Sequence, residues 1–222
     1  RFREACGLEP HPQFHLFCDW SKSKTTSPSD LFPSLEINEV HHLDLSVSSS
    51  WLGLKDEFND LDLFKFKIKQ LQKQKPKKII AGGYLEPRSL YTSETYNKVG
   101  NNGLEKRCIH LGIDFWVPKY TPVHSPYNGT IVKVFNDQGE KAYGGTIILK
   151  HDTKSFTFYT LYGHLALESI QKVVVGNKIL KGDFLAFIGS SSENGNWAPH
   201  LHFQIMLSQL DYENDFPGVC YY

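Results

Sequence analysis

From Cys108 onward the chain is a series of short apolar runs, each bounded by glycine or proline, and this punctuation limits the fold more than any other feature. The runs cover His110 to Val117, Gly129 to Asn136, Gly144 to His151, Phe156 to Tyr162, Phe184 to Gly189 and Leu201 to Leu207. Pro122, Pro126, Gly139, Gly144, Gly145, Gly176 and Gly182 mark the turns. Closely spaced strands without intervening helices predict an antiparallel all-β core. Leu167 to Val174 has room for a brief helical turn.

Five residues in this half carry chemistry: His110, Asp114, His164, His200 and His202. Side chains alternate along a strand, so residues two or four apart face one side. His110 with Asp114, and His200 with His202, therefore each present a pair to one face if both segments are extended. Zinc accepts imidazole nitrogen and carboxylate oxygen, and catalytic sites use three protein ligands with a position left for water. His110, Asp114 and His202 could supply that set, leaving His164 and His200 to handle protons. A closed structural zinc site would need a fourth well-placed protein ligand. An empty polar cluster would bury five titratable groups across four strands at considerable cost.

The connecting segments add to the ligand spacing. Tyr120-Thr-Pro-Val-His-Ser-Pro-Tyr-Asn-Gly129-Thr, Tyr143-Gly-Gly-Thr-Ile-Ile-Leu-Lys-His151, Phe158-Tyr-Thr-Leu-Tyr-Gly-His164-Leu, Lys181-Gly-Asp-Phe-Leu-Ala-Phe-Ile-Gly189 and Ala198-Pro-His-Leu-His-Phe203 form an ordered series. Together with the histidines, they resemble the lysostaphin-like zinc metallopeptidases, which cut peptide bonds in bacterial cell-wall cross-links. The resemblance spans roughly the last half of the chain. It implies an antiparallel β-sandwich or cradle of the duplicated-hybrid-motif type, preceded here by a small α+β N-terminal extension. It also implies Zn2+ held by His110, Asp114 and His202, with His164 and His200 at the catalytic water. One of the two would act as base and the other would hydrogen-bond the oxyanion; the sequence does not assign which. The implied activity is that of an endopeptidase, with a peptide or peptidoglycan-like substrate. The opposing reading is a zinc-bearing domain that positions neighbouring domains and cleaves nothing. A third is amide hydrolysis on a small metabolite.

A narrower similarity runs through Gly83-Tyr-Leu-Glu-Pro-Arg88, Leu90-Tyr-Thr92, His110 to Phe115, Tyr159 to His164 and Asn194-Gly-Asn-Trp-Ala-Pro-His200. It resembles the peptidase-like middle segment of multidomain proteins. In these an aminoglycoside phosphotransferase-type, kinase-like domain precedes the segment and a class III pyridoxal-phosphate aminotransferase follows it. The chain is then expected to be one domain of a longer protein. Arg1 in place of an initiating methionine, and Met206 as the lone methionine, fit a fragment or a processed product.

The first half divides by composition into a lead or linker at 1–33 and an extension at 34–92, before the peptidase-like β domain at 93–222. Arg1 to Pro33 holds several prolines and a polar run from Ser21 to Ser29. Phe14, Leu16, Phe17 and Trp20 offer an apolar patch for a partner such as a preceding domain. Leu35 to Val47 alternates as a strand and contains His41 and His42, which as neighbours face opposite sides. Asp56 to Gln74 reads as a helix: Phe58, Leu61, Phe64, Ile68 and Leu71 recur at threes and fours, with Asp56 and Glu57 early and Lys69 and Lys73 late. The lysines from Lys65 to Lys78 read as a solvated face. Ile79 to Tyr84 is a short strand and turn. Tyr84 to Arg107 is a wrapping loop that could lie across the cleft, and Asn194, Asn196 and Trp197 could line it. Cys108 shares its parity with His110, though a free cysteine is more often a small buried hydrophobe. His124 and His151 fall at turns.

Formal net charge is zero, from 24 basic and 24 acidic residues, so nothing draws the chain to nucleic acid or an anionic membrane. No apolar run approaches the ~20 residues that span a bilayer, and residues 1–24 lack the apolar core of a signal peptide. Four scattered cysteines without a C-x-x-C pair favour a reducing setting. A cytoplasmic location is the expectation.

Overall fold

The structure, a computed structural model, describes residues 9–100, 103–210, 212 and 216–221. Its centre is an eight-stranded sheet in the order β1-β2-β7-β14-β11-β10-β9-β12. The strands are β1 (Glu39–His42), β2 (Lys78–Gly82), β7 (Ile113–Trp116), β9 (Gly129–Asp137), β10 (Gly144–Asp152), β11 (Thr157–Leu165), β12 (Lys178–Ile179) and β14 (Leu201–Met206). All neighbours are antiparallel except β1 and β2, which run parallel. The antiparallel core expected from the spacing of turns is present, and the N-terminal extension adds the parallel pair at one edge.

Three small sheets complete the β framework. Strand β8 (Pro122–His124) pairs with β13 (Phe184–Phe187), and β4 (Asn97–Gly100) with β5 (Gly103–Lys106). Strand β6 (Ile109–His110) lies between β3 (Glu86–Pro87) and β15 (Val219–Cys220). The β8–β13 pair supplies Val123, Leu185 and Ala186 to the main core, against Phe115, Ile147, Leu149, Leu165 and Leu201 of the large sheet. Two layers closing on one apolar core is the sandwich arrangement.

The structure shortens several expected elements. His110 to Val117 is not one strand: β6 and β7 belong to different sheets, with a break at Leu111 and Gly112. Leu35 to Val47 is a strand only over Glu39–His42, after which Leu43 and Leu45 turn into the second core. The predicted helix at 56–74 is split into a 3-10 turn over Lys55–Asn59 and an α-helix that begins later, over Leu61–Gln74. Asp60 decides the boundary, because its side chain accepts from the backbone N–H groups of Asp62 and Leu63 and so caps the helix. Leu61, Phe64 and Ile68 are buried on that helix, and burial of each contributes about 1.5–3 kcal/mol. The patch at Phe17 and Trp20, on helix Phe14–Lys22, has its partner within the chain: it packs on Tyr127, Phe156 and Phe158.

Candidate metal centre and active site

The five chemistry-bearing residues converge although they come from four separate pieces of chain. His110 ends β6, Asp114 lies on β7, His164 on β11, and His202 on β14 with His200 just before it. Strand β14 pairs with β7 so that His202 faces Asp114, and with β11 so that it faces Gly163. All five side chains are buried.

Asp114 Oδ1 stands at the focus. It lies 3.2 Å from His110 Nε2, 3.3 Å from His202 Nδ1 and 3.7 Å from His200 Nε2. The other nitrogen of each ring is committed elsewhere. His110 Nδ1 meets the Gly83 carbonyl at 2.7 Å, His202 Nε2 meets Gln204 Oε1 at 3.0 Å, and His200 Nδ1 meets the Ala198 carbonyl at 2.7 Å. Each partner is an acceptor, so each of these nitrogens carries the proton and the inward nitrogen carries a lone pair. His110 Nε2 and His202 Nδ1 then face each other at 2.9 Å as two lone pairs, beside a buried carboxylate oxygen that has no hydrogen-bond donor. Such an arrangement repels itself unless a cation sits among the three atoms. Zinc with bonds of about 2.0–2.1 Å in a tetrahedron separates its ligand atoms by about 3.3 Å. The two separations from Asp114 Oδ1 match that value, the 2.9 Å between the rings is shorter, and His110, Asp114 and His202 form a metal-competent cluster among the described residues.

A second layer holds this geometry. Arg88 Nη1 donates to Asp114 Oδ2 at 2.6 Å and Arg88 Nε to Glu86 Oε2 at 2.6 Å, while Glu86 Oε1 accepts from the Leu45 backbone N–H. Burial opposes ionisation of Asp114, but the neighbouring His110 ring and the Arg88 guanidinium outweigh it and hold the carboxyl well below the usual range. Burial, helped by Arg88, pushes His110 down to about 4. Burial also lowers His200, and lowers His164 further with the adjacent His200 contributing. These three rings are therefore neutral near pH 7, as ligands and proton acceptors must be.

Two glycines make room. A Cβ on Gly112 would lie 2.5 Å from His202 Nε2, and one on Gly83 1.9 Å from Arg88 Nη2. His164 has φ +64 at a register irregularity between β10 and β11. This is a left-handed conformation rare for a residue with a side chain, and the bulge turns the His164 ring towards His200, at 4.1 Å between centroids. Its Nδ1 is buried without a partner.

The structure thus brings together all five residues singled out from the sequence. Arg88, Glu86, Gln204 and the Gly83 carbonyl were not assigned roles there. Gln204 follows His202 by two on one strand, so face parity alone points to it; Arg88 reaches Asp114 from another element and leaves no local signal. Trp197 lines the cavity over the site, whereas Asn194 is fully buried and Asn196 Oδ1 accepts from Lys65. Cys108 is half-buried and outside the ligand cluster. His124 and His151 bond to backbone carbonyls of Gly182 and Asn128.

Residues 108–213 match peptidase family M23. Within this M23 segment fall all three ligand candidates and both further histidines. An uncharacterized metalloprotease of Haemophilus influenzae is 30% identical over 99 residues, covering 45% of this chain and 19% of its own length. The chain therefore spans about a fifth of that relative. Among solved structures, the catalytic domain of the antimicrobial peptidase lysostaphin from Staphylococcus simulans is 25% identical, covering 68% of this chain and 92% of that one, with a TM-score of 0.41. A zinc-containing peptidase from Vibrio cholerae is 23% identical, covering 61% of this chain and 40% of that one, with a TM-score of 0.37. Arg88 and Glu86 precede the M23 segment, so part of the second layer comes from the extension.

Proposed function

We propose that the chain is a zinc-dependent hydrolase of amide bonds, of the peptidase type that the M23 match suggests. The single observation that carries this is the convergence of unprotonated ring nitrogens on a donor-free Asp114 oxygen, with neutral His200 and His164 beside it. When bound by His110, Asp114 and His202, zinc supplies a Lewis acid that polarises a carbonyl and acidifies water.

The chain's own residues do the rest. His200 Nδ1 donates to the Ala198 carbonyl, which orients the ring and leaves Nε2 to accept the proton of the attacking water. The water oxygen joins the acyl carbon, the C–N bond breaks, and His200 returns the proton to the leaving amine. His164, its ring tilted close against His200 and its Nδ1 uncommitted, hydrogen-bonds the reacting oxygen. Arg88 keeps Asp114 ionised and fixes its orientation through Oδ2. The kinase-like and aminotransferase neighbours suggested by the narrower resemblance belong to this proposal and would flank the domain in a longer protein.

Elemental mass spectrometry on the purified chain and on His202→Ala and His200→Ala tests the division of roles. The expected result is one zinc per chain in the wild type and in His200→Ala, and none in His202→Ala. Loss of zinc from His200→Ala would overturn the assignment of that residue to proton transfer. A zinc-loaded wild type that cleaves no amide would favour the non-catalytic positioning domain.

A further inference from the structure

The site is recessed. None of the five chemistry-bearing residues is more than 5% exposed. Above them lies a cavity of about 140 Å³, partly open to solvent and walled by Leu45 and Phe64 of the extension, Tyr91 and Tyr96 of the wrapping segment, Trp197, and Val219 near the C-terminal end. A cavity of about 150 Å³ holds a molecule the size of benzene. A four-residue peptide strand is about 13 Å long and needs a trough open at both ends.

Strand addition is also closed off. Extended peptides bind by pairing with a free sheet edge. The ligand-bearing strands have none: β6 is flanked by β3 and β15, and β7 by β2 and β14.

The cover is part of the site itself. Tyr91 Oη accepts from the same Arg88 nitrogen that holds Asp114. Tyr96 Oη donates to the Lys141 carbonyl, and the buried Lys141 ammonium donates to Asn59 Oδ1, the Leu90 carbonyl and Thr92 Oγ1, each within 2.7 Å. Lifting the wrapping segment would strip Asp114 of the guanidinium and take two of its three acceptors from the ammonium, so the form with this segment in place is the one in which the ligands are correctly held.

We propose that this site hydrolyses small amides of about dipeptide size or less, with an apolar or aromatic portion against Tyr91, Tyr96 and Trp197, and excludes polymeric peptide strands. The proposal rests on the zinc-hydrolase reading and narrows its substrate. Water adds hydroxyl to the acyl carbon and a proton to the amine nitrogen, so no further reactant is needed.

Two hydroxamates that imitate short and long substrates test it without turnover. Zinc-loaded chain is titrated calorimetrically with acetohydroxamate and with the hydroxamate of tetraglycine. Acetohydroxamate is expected to bind one per chain, with the longer compound at least about tenfold weaker, a difference of about 1.4 kcal/mol. Trp197→Ala and Phe64→Ala, each removing a ring from the cover, are expected to narrow that ratio. Equal or tighter binding of the long hydroxamate by wild type overturns the proposal, as does failure of acetohydroxamate to bind a chain carrying one zinc. Failure of the chain to take up zinc overturns the hydrolase reading instead.

Discussion

Adding a single methyl group at Gly112 should dislodge a metal ligand. The ideal Cβ at this position lies 2.5 Å from His202 Nε2, 2.6 Å from its Cε1 and 2.9 Å from the Phe203 carbonyl oxygen, where ordinary contact begins at 3.4 Å. The overlap with the ring is thus about 0.9 Å (3.4 − 2.5). The Phe203 carbonyl belongs to strand β14, whose residue Phe203 pairs with Ile113, so the backbone resists movement and the imidazole must give way. Displacement breaks the 3.0 Å bond from Nε2 to Gln204 and carries Nδ1 away from Asp114. Overpacking of this kind costs about 1–3 kcal/mol of stability, and loss of an outer-shell partner weakens metal affinity about 10–100-fold. Competition with a chromophoric chelator at neutral pH measures the affinity, and urea denaturation the stability. Gly112→Ala that binds one zinc within about twofold of wild type would refute the placement of His202 as a ligand, since no ring in its present position could tolerate that methyl.

Acidification should destabilise the metal-free chain. His110 sits near 4 when folded, chiefly through burial, against about 6.5 when unfolded. Between those values the unfolded chain binds the extra proton, so stability is intact above about pH 6.5 and falls as pH drops towards 4, by about 3 kcal/mol from His110 alone; urea midpoints of chelator-treated protein across that window check it, and a flat profile would refute it. Lys141→Met removes the donor of the Leu90 carbonyl and Thr92 Oγ1 and leaves Asn59 Oδ1 with the Thr92 hydroxyl alone. A loss of about 3 kcal/mol is expected, with amide exchange quickening over the wrapping segment, and unchanged exchange there would contradict the fastening role. Arg88→Met leaves two buried carboxylates unpaired and should cost about 3–5 kcal/mol, read as a lowered urea midpoint that substituting Glu86→Gln in the same chain partly restores.

The sequence by itself determined the strand-rich core and the five residues that converge on one point. Turn residues at short intervals left room for no more than a brief helical turn beyond Cys108, and a metal site must be built from the few side chains that can ligate, so imidazoles and a carboxylate at even spacing were visible without coordinates. Even the parity argument reached a correct juxtaposition by an incomplete route: His110 and Asp114 face one point, but from two strands in different sheets, because Gly112 breaks the run between them. What only the tertiary structure decided are the relations between distant pieces of chain. Arg88 lies 26 residues from Asp114 in sequence and touches it at 2.6 Å. Trp197 and Tyr91, far apart in sequence, close one wall of the pocket together. The accessibility of a site depends on which surfaces meet, and such contacts between separate elements leave no periodic trace in the order of residues. The convergent residues were therefore readable along the chain, whereas the pocket above them was set by packing.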